Sequence, residues 1–217
     1  MESMEDPADR VMMARCAELS RTAVSEGEYP FGCLIAIDGR IVAEAINRTV
    51  AEGDVSRHAE VIALSQAQKL FAKHELARAT LYSTVEPCAM CSYCIREAWI
   101  GRVVYALSSP IMGGLSKWNI LRDKDISNRI PIFGPAPEVV SGVLSAEVRN
   151  VWQSWNPLAW EFMRAAGILT AASPPKEGIE VMPAHRHTPW QRVTLTFMRL
   201  RANAVWKGRA SRDRSWQ

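Results

Sequence analysis

Thr80-Leu81-Tyr82-Ser83-Thr84-Val85-Glu86-Pro87-Cys88-Ala89-Met90-Cys91 is the stretch on which the reading of this chain turns. Its first six residues are rich in strand formers, which predicts a strand over 80–85. Pro87 sits where a helix can begin, because a first-turn residue has no backbone hydrogen bond to lose. A helix is therefore expected from Cys88 to Ala98, and Arg102-Val103-Val104-Tyr105-Ala106 follows as another strand. Upstream, Val61, Ile62, Leu64, Ala67 and Leu70–Phe71 recur with helical spacing and predict a helix from His58 to about Lys73. Strand and helix alternating in this way point to an α/β sandwich with parallel strands in the middle.

The flanks extend this core. Residues 8–25 read as a helix, with Val11, Met12, Ala14, Leu19 and Ala23 sharing a face and Gly27 stopping it. Phe31 to Ile37 reads as a strand, Asp38-Gly39 as a hairpin turn, and Arg40 to Ile46 as the returning strand. Residues 108–137 are punctuated by Pro110, Gly113, Gly114, Pro131, Gly134, Pro135 and Pro137, and read as irregular with a short helix around Ser116–Leu121. Glu138 to Gly142 gives a fifth strand. Ala146 to Ala166 reads as a helix kinked near Pro157, with Trp152, Trp155, Trp160 and Phe162 as packing residues. Ser173-Pro174-Pro175 marks a boundary, which divides the chain into 1–172 and an extension over 173–217.

Composition is that of a globular protein: 217 residues, 48% hydrophobic and 23% charged. No apolar run reaches bilayer length, and the acidic start Met1-Glu2-Ser3-Met4-Glu5-Asp6 lacks the basic-then-apolar pattern of a secretory signal. A cytoplasmic protein with no membrane partner is expected. The formal charge of +3 is unevenly placed, with residues 1–175 summing to −3 and residues 176–217 to +6. Five cysteines, an odd number, argue against a disulfide framework. Cys88, Cys91 and Cys94 fall within seven residues, which suits metal chemistry better than cross-linking.

Two short motifs carry that chemistry: His58-Ala59-Glu60 and Pro87-Cys88-Ala89-Met90-Cys91. Cys-x-x-Cys at a helix start can aim two thiolates at one ion, and His58, opening another helix, can add a third ligand. Three protein ligands leave a zinc ion one position for water, whose pKa then falls from about 15.7 to roughly 7. Partial positive charge at both helix starts favours thiolate and hydroxide. Glu60 lies too close to His58 in sequence to share the coordination shell, but it can stand beside the water as a general acid/base. Cys94, one turn along the helix, is expected to face the core.

His-x-Glu followed by Pro-Cys-x-x-Cys is the signature of zinc deaminases. Residues from about 8 to 166 resemble the cytidine deaminase-like superfamily, and within it the branch of tRNA adenosine, guanine and nucleoside deaminases. The matching stretches are Ala45-Ile46-Asn47-Arg48, His58-Ala59-Glu60, Leu81-Tyr82, Glu86 through Cys91 and Arg102 through Tyr105. The resemblance implies a three-layer α/β/α sandwich on a five-stranded mixed sheet. The thirty or so residues between Ala106 and the next strand are too many for a hairpin, so the last two strands are expected to be parallel, as in that branch. It also implies one zinc per subunit on His58, Cys88 and Cys91, Glu60 as the proton shuttle and a homodimer. Asn47 would hydrogen-bond the substrate, and the backbone at Val85, Glu86 and Pro87 would contact the base or the attacking oxygen.

Two substrate classes follow from the resemblance. The segment Ser108 to Ser116 and the approach Gly53-Asp54-Val55-Ser56-Arg57 depart from the tRNA enzymes, and the body is acidic. These features favour a free nucleobase or nucleoside, with tRNA adenosine-to-inosine deamination as the alternative. Trp118 is a candidate for stacking on the substrate, with burial in the core as the competing reading. The arginines and tryptophans of 173–217 could grip RNA, but they read better as a poorly ordered extension, and His185 and His187 as exposed residues.

Overall fold

A computed structural model describes residues 6–130 and 132–171. Helix α1 (Pro7–Ser25) is capped by the Asp6 carboxylate, which accepts from the Ala8 N–H. Strands β1 (Gly32–Ile37) and β2 (Arg40–Ile46) form an antiparallel hairpin. Asp38 and Gly39 both take positive φ, 50° and 75°, the geometry that the Asp-Gly pair favours in a two-residue turn. A one-turn helix α2 (Thr49–Glu52) precedes α3 (Ala59–Ala67) and α4 (Lys73–Leu76). Strand β3 (Thr80–Val85), helix α5 (Ala89–Ala98) and strand β4 (Arg102–Ser108) follow. Then come α6 (Lys124–Arg129), β5 (Glu138–Ser141), α7 (Ser145–Trp155), α8 (Pro157–Ala165) and β6 (Thr170–Ala171).

The strands order as β2-β1-β3-β4-β5. β1 is antiparallel to β3, while β3–β4 and β4–β5 are parallel, as expected. Alternate residues supply two cores. On one face Cys33, Ile35, Leu81, Val103 and Tyr105 pack with Ala63 and Leu64 of α3 and Ile95 of α5. On the other, Leu34, Ala36, Tyr82, Val104 and Ala106 pack with Met13 and Cys16 of α1, Val148 and Trp152 of α7, and Trp160 of α8. The sheet is thus the middle layer of an α/β/α sandwich. Among the described residues no helix is long and apolar enough to cross a membrane.

Several expectations need correction. Among the described residues the sheet has six strands, because Thr170–Ala171 pairs antiparallel with the end of β4. The helix expected from His58 to Lys73 stops at Ala67. The chain turns there, with Lys69 and Leu70 bonding three residues back, so Phe71 reaches the core and Leu70 stays exposed. Residues 116–121 form turns, and the short helix lies at 124–129, where Asp123 caps it through the Asp125 and Ile126 N–H groups. The kink near Pro157 is a full break: extended Asn156 ends α7, and its side chain caps α8 at Ala159. On α1, Val11 and Ala14 face solvent; Asp9, Met13, Cys16, Ala17, Ser20 and Ala23 turn inward, because Asp9 and Ser20 find buried partners. The boundary at 173 and the extension beyond it lie outside the described residues.

Candidate active site

The site forms at the carboxyl edge of the parallel strands, where open α/β sheets bind ligands. His58 and Cys88 are the residues just before α3 and α5. Both hold extended backbone, and neither side chain caps its own helix, so the imidazole and the thiol are free to face each other. Cys91, fully buried in the first turn of α5, completes the group. The His58 Nδ1 lies 3.6 Å from Cys88 Sγ and 3.4 Å from Cys91 Sγ, and the two sulfurs are 3.5 Å apart. A tetrahedral zinc with bonds of about 2.0–2.3 Å needs ligand atoms roughly 3.4–3.8 Å apart, so the three donors fit this ion in chemistry and in spacing. Among the described residues this trio is the group placed to hold a metal.

The hydrogen bond shared with Cys91 outweighs burial and pulls the Cys88 thiol down to about 4, with His58 acting in the same direction. Its contact with Cys88 in turn raises His58 above its ordinary value. Cys91 is pushed up by sharing that hydrogen bond and by burial. Cys94 is half-buried against the core, as expected, with its thiol raised by burial.

Glu60 is 5% exposed. Ser83 of β3 donates to its Oε1 at 2.8 Å, and its Oε2 lies 3.5 Å from Cys91 Sγ, so the carboxylate stands at the edge of the metal trio. Burial raises its pKa above the usual carboxylate value. Asn47, at the end of β2, is also buried, and its Nδ2 donates to Glu28 and Thr49.

Val85, Glu86 and Pro87 form the turn between β3 and α5. The Glu86 side chain has a role that the sequence did not disclose. It is buried and accepts from the Ser109, Leu115 and Ser116 N–H groups and from the Ser116 hydroxyl. One carboxylate thereby ties residues 109–116 to the metal turn. The tie is close: Gly114 N–H donates to the Pro87 carbonyl and Gly113 bridges Cys88. A Cβ on Gly113 would fall 2.0 Å from the Glu86 Oε1, and one on Gly114 1.9 Å from the Ser92 Oγ. Trp118 follows this segment. Burial in the core, one of its two expected fates, is not observed: the residue is 57% exposed, with Lys117 Nζ 5.9 Å from its ring centroid. Arg96 was also missed. It is buried in α5 and donates to the carbonyls of Ile120, Asp123 and Gly134, so it organises the segment after residues 109–116, the rim loop.

A His-Cys-Cys trio spaced for zinc with a buried carboxylate beside it, set on this sheet, is the arrangement of a zinc-dependent deaminase. The chain belongs to the cytidine and deoxycytidylate deaminase family, whose zinc-binding region it matches over residues 6–107. It is 31% identical to the tRNA-specific adenosine deaminase of Streptococcus pyogenes over 144 residues, which are 66% of this chain and 80% of that one. It is 34% identical to the enzyme of the same description from Haemophilus influenzae over 141 residues, 64% and 78% of the two chains. A solved structure from studies of A-to-I editing by tRNA:A34 deaminases superposes with a TM-score of 0.56 at 30% identity, covering 65% of this chain and 98% of that one. The guanine deaminase of Nitrosomonas europaea shares the fold, with a TM-score of 0.57 at 22% identity over 72% and 87% of the two chains.

Proposed function

We propose that this chain hydrolytically deaminates adenosine within a tRNA anticodon, the alternative that the sequence alone placed second to a free base or nucleoside. The observation that carries the proposal is the 31–34% identity to tRNA-specific adenosine deaminases over about four-fifths of their length. Two structural features support it. The Gly53–Arg57 approach, unusual in sequence, is braced by Arg48 and Arg57 on Glu52 and by Arg48 N–H on the Arg57 carbonyl, so a different sequence still delivers His58. Trp118, exposed with a lysine beside it and close in sequence to the Gly113–Cys88 bridge, suits a splayed-out base of a single-stranded loop.

His58 Nδ1, Cys88 Sγ and Cys91 Sγ would hold the zinc, which would supply the Lewis acidity that makes water an effective nucleophile near neutral pH. Glu60, steadied by Ser83, takes one proton from the attacking water and passes it to ring N1, then carries the proton of the new C6 hydroxyl to the departing amino group. The C6–O bond forms, the C6–N bond breaks, and inosine and ammonia are the products. Asn47 binds the substrate, and the Val85–Pro87 turn lines its approach to the metal.

The test is inosine formation and ammonia release from an anticodon stem-loop, beside adenine, adenosine, guanine, cytosine and cytidine. Turnover of the stem-loop is expected. Turnover of a free base or nucleoside, with none of the stem-loop, would establish the other reading. A homodimer is part of the proposal, and a sedimentation mass near twice 24.2 kDa is expected.

A further inference from the structure

Glu28 is 1% exposed, lies outside the metal site and has no part in the chemistry above. Its Oε2 accepts from Asn47 Nδ2 at 2.9 Å and from the Val50 N–H, and its Oε1 accepts from the Ala51 N–H. The other Asn47 Nδ2 proton has the Thr49 Oγ1 at 2.8 Å. A carboxylate only accepts, so the atom of Asn47 that faces it must be the amide nitrogen. Both amide protons are then occupied by the protein, and the carbonyl Oδ1 is the hydrogen-bonding group left over.

We infer that Glu28 is a positioning residue for substrate binding: it locks the Asn47 amide with its nitrogen inward, so that Asn47 offers the substrate an acceptor. This rests on the substrate role proposed for Asn47. The substrate group that Asn47 takes is then a hydroxyl or amino hydrogen, not the lone pair of a ring nitrogen. The two backbone N–H groups of α2 on the same carboxylate fix Glu28 itself, so the orientation is set before substrate arrives.

The discriminating variant is Glu28→Gln. Glutamine has one carbonyl for three donors: with it on the Ala51 N–H, its amide N–H is set against both Asn47 Nδ2 and the Val50 N–H, which share Oε2. Two donors then face each other, and the amide of Asn47 turns over to relieve them. A cycle of Glu28→Gln, Asn47→Ala and the double variant is measured on the zinc-loaded full chain, with the substrate that the panel identifies. Each single change is expected to raise KM about tenfold, the scale of one lost hydrogen bond, with a much smaller change in kcat. The double variant is expected to be no worse than Asn47→Ala, with zinc content and melting temperature near those of the parent.

Glu28→Gln raising KM by the same factor in both backgrounds would overturn the inference, as would an unchanged KM. An unchanged KM in Asn47→Ala would remove the role of Asn47 itself, and with it that of Glu28, while leaving the deaminase chemistry standing. Thr49→Ala is the second variant should Glu28→Gln fold poorly: it frees one amide proton, and its effect on KM is expected to vanish in the Asn47→Ala background. An effect that persists there counts against the inference. Finally, a target purine with carbon in place of N7 is expected to bind as well as the natural one. Weaker binding that depends on Asn47 would show that the amide donates to the ring, and would overturn the acceptor assignment.

Discussion

Asp9 shows how much one side chain decides. It is 1% exposed in the first turn of α1, yet charged, because Arg102 of β4 grips both its oxygens at 2.7 Å and the Tyr82 hydroxyl donates to it at 2.8 Å. Burial alone would push its pKa up; the contacts from Arg102 and Tyr82 together outweigh burial and hold it below the ordinary carboxylate value. Its contribution to stability is therefore complete above the ordinary value and is lost as pH falls through the lower, folded one. Arg102→Ala is expected to cost about 3 kcal/mol at neutral pH in urea unfolding, and to flatten that acid limb of the stability curve. At the site, Glu60→Ala is expected to lower kcat by about 10²–10⁴ while zinc content is unchanged. The grouping of His58, Cys88 and Cys91, with Glu60 beside them, was legible because it depends on local spacing that survives without a fold. Glu28, Glu86 and Arg96 were not legible as anchors, since a carboxylate or guanidinium that serves distant backbone looks like any surface charge until the partners, up to 38 residues away, are in place.

Among the elements, those with a strong period or a turn signal were readable, and those shaped by tertiary contacts were not. The β1–β2 hairpin followed from Asp38-Gly39, and β3, α5 and β4 from apolar patterning. α3 ended early because Phe71 is drawn back to the core. The two-residue β6 carries no sequence period at all and exists only because β4 offers it an edge. The Trp-rich region split at Asn156 because its carboxamide caps α8 just before Pro157. Trp152, buried against Phe31 in an edge-on contact, is the centre of the α7 side, and Trp152→Ala is expected to cost about 3–5 kcal/mol in the same unfolding assay. Gly113→Ala and Gly114→Ala belong to the rim loop. Each would drive a methyl group into Glu86 or Ser92, and a loss of about 1–3 kcal/mol is expected, with weaker zinc retention measured against a competing chelator.

For the molecule as a whole, the three-layer order and the parallel β4–β5 pairing were readable from the sequence, whereas the ranking of substrates was not. The loop between β4 and β5 and its exposed Trp118, proposed above to meet the substrate, take their placement from the Glu86 and Arg96 anchors. Removing zinc with a chelator is expected to abolish turnover and to lower the melting temperature, since the trio joins the starts of α3 and α5. The Glu86 tether has one more consequence. A single carboxylate fastens residues 109–116 to the turn that carries Cys88, so a substrate held by the first and an ion held by the second would be coupled. Occupancy of either place should then strengthen the other by an equal factor, so a saturating inhibitor should tighten the hold on the ion, measured as its equilibrium affinity, by the factor by which the ion tightens that inhibitor.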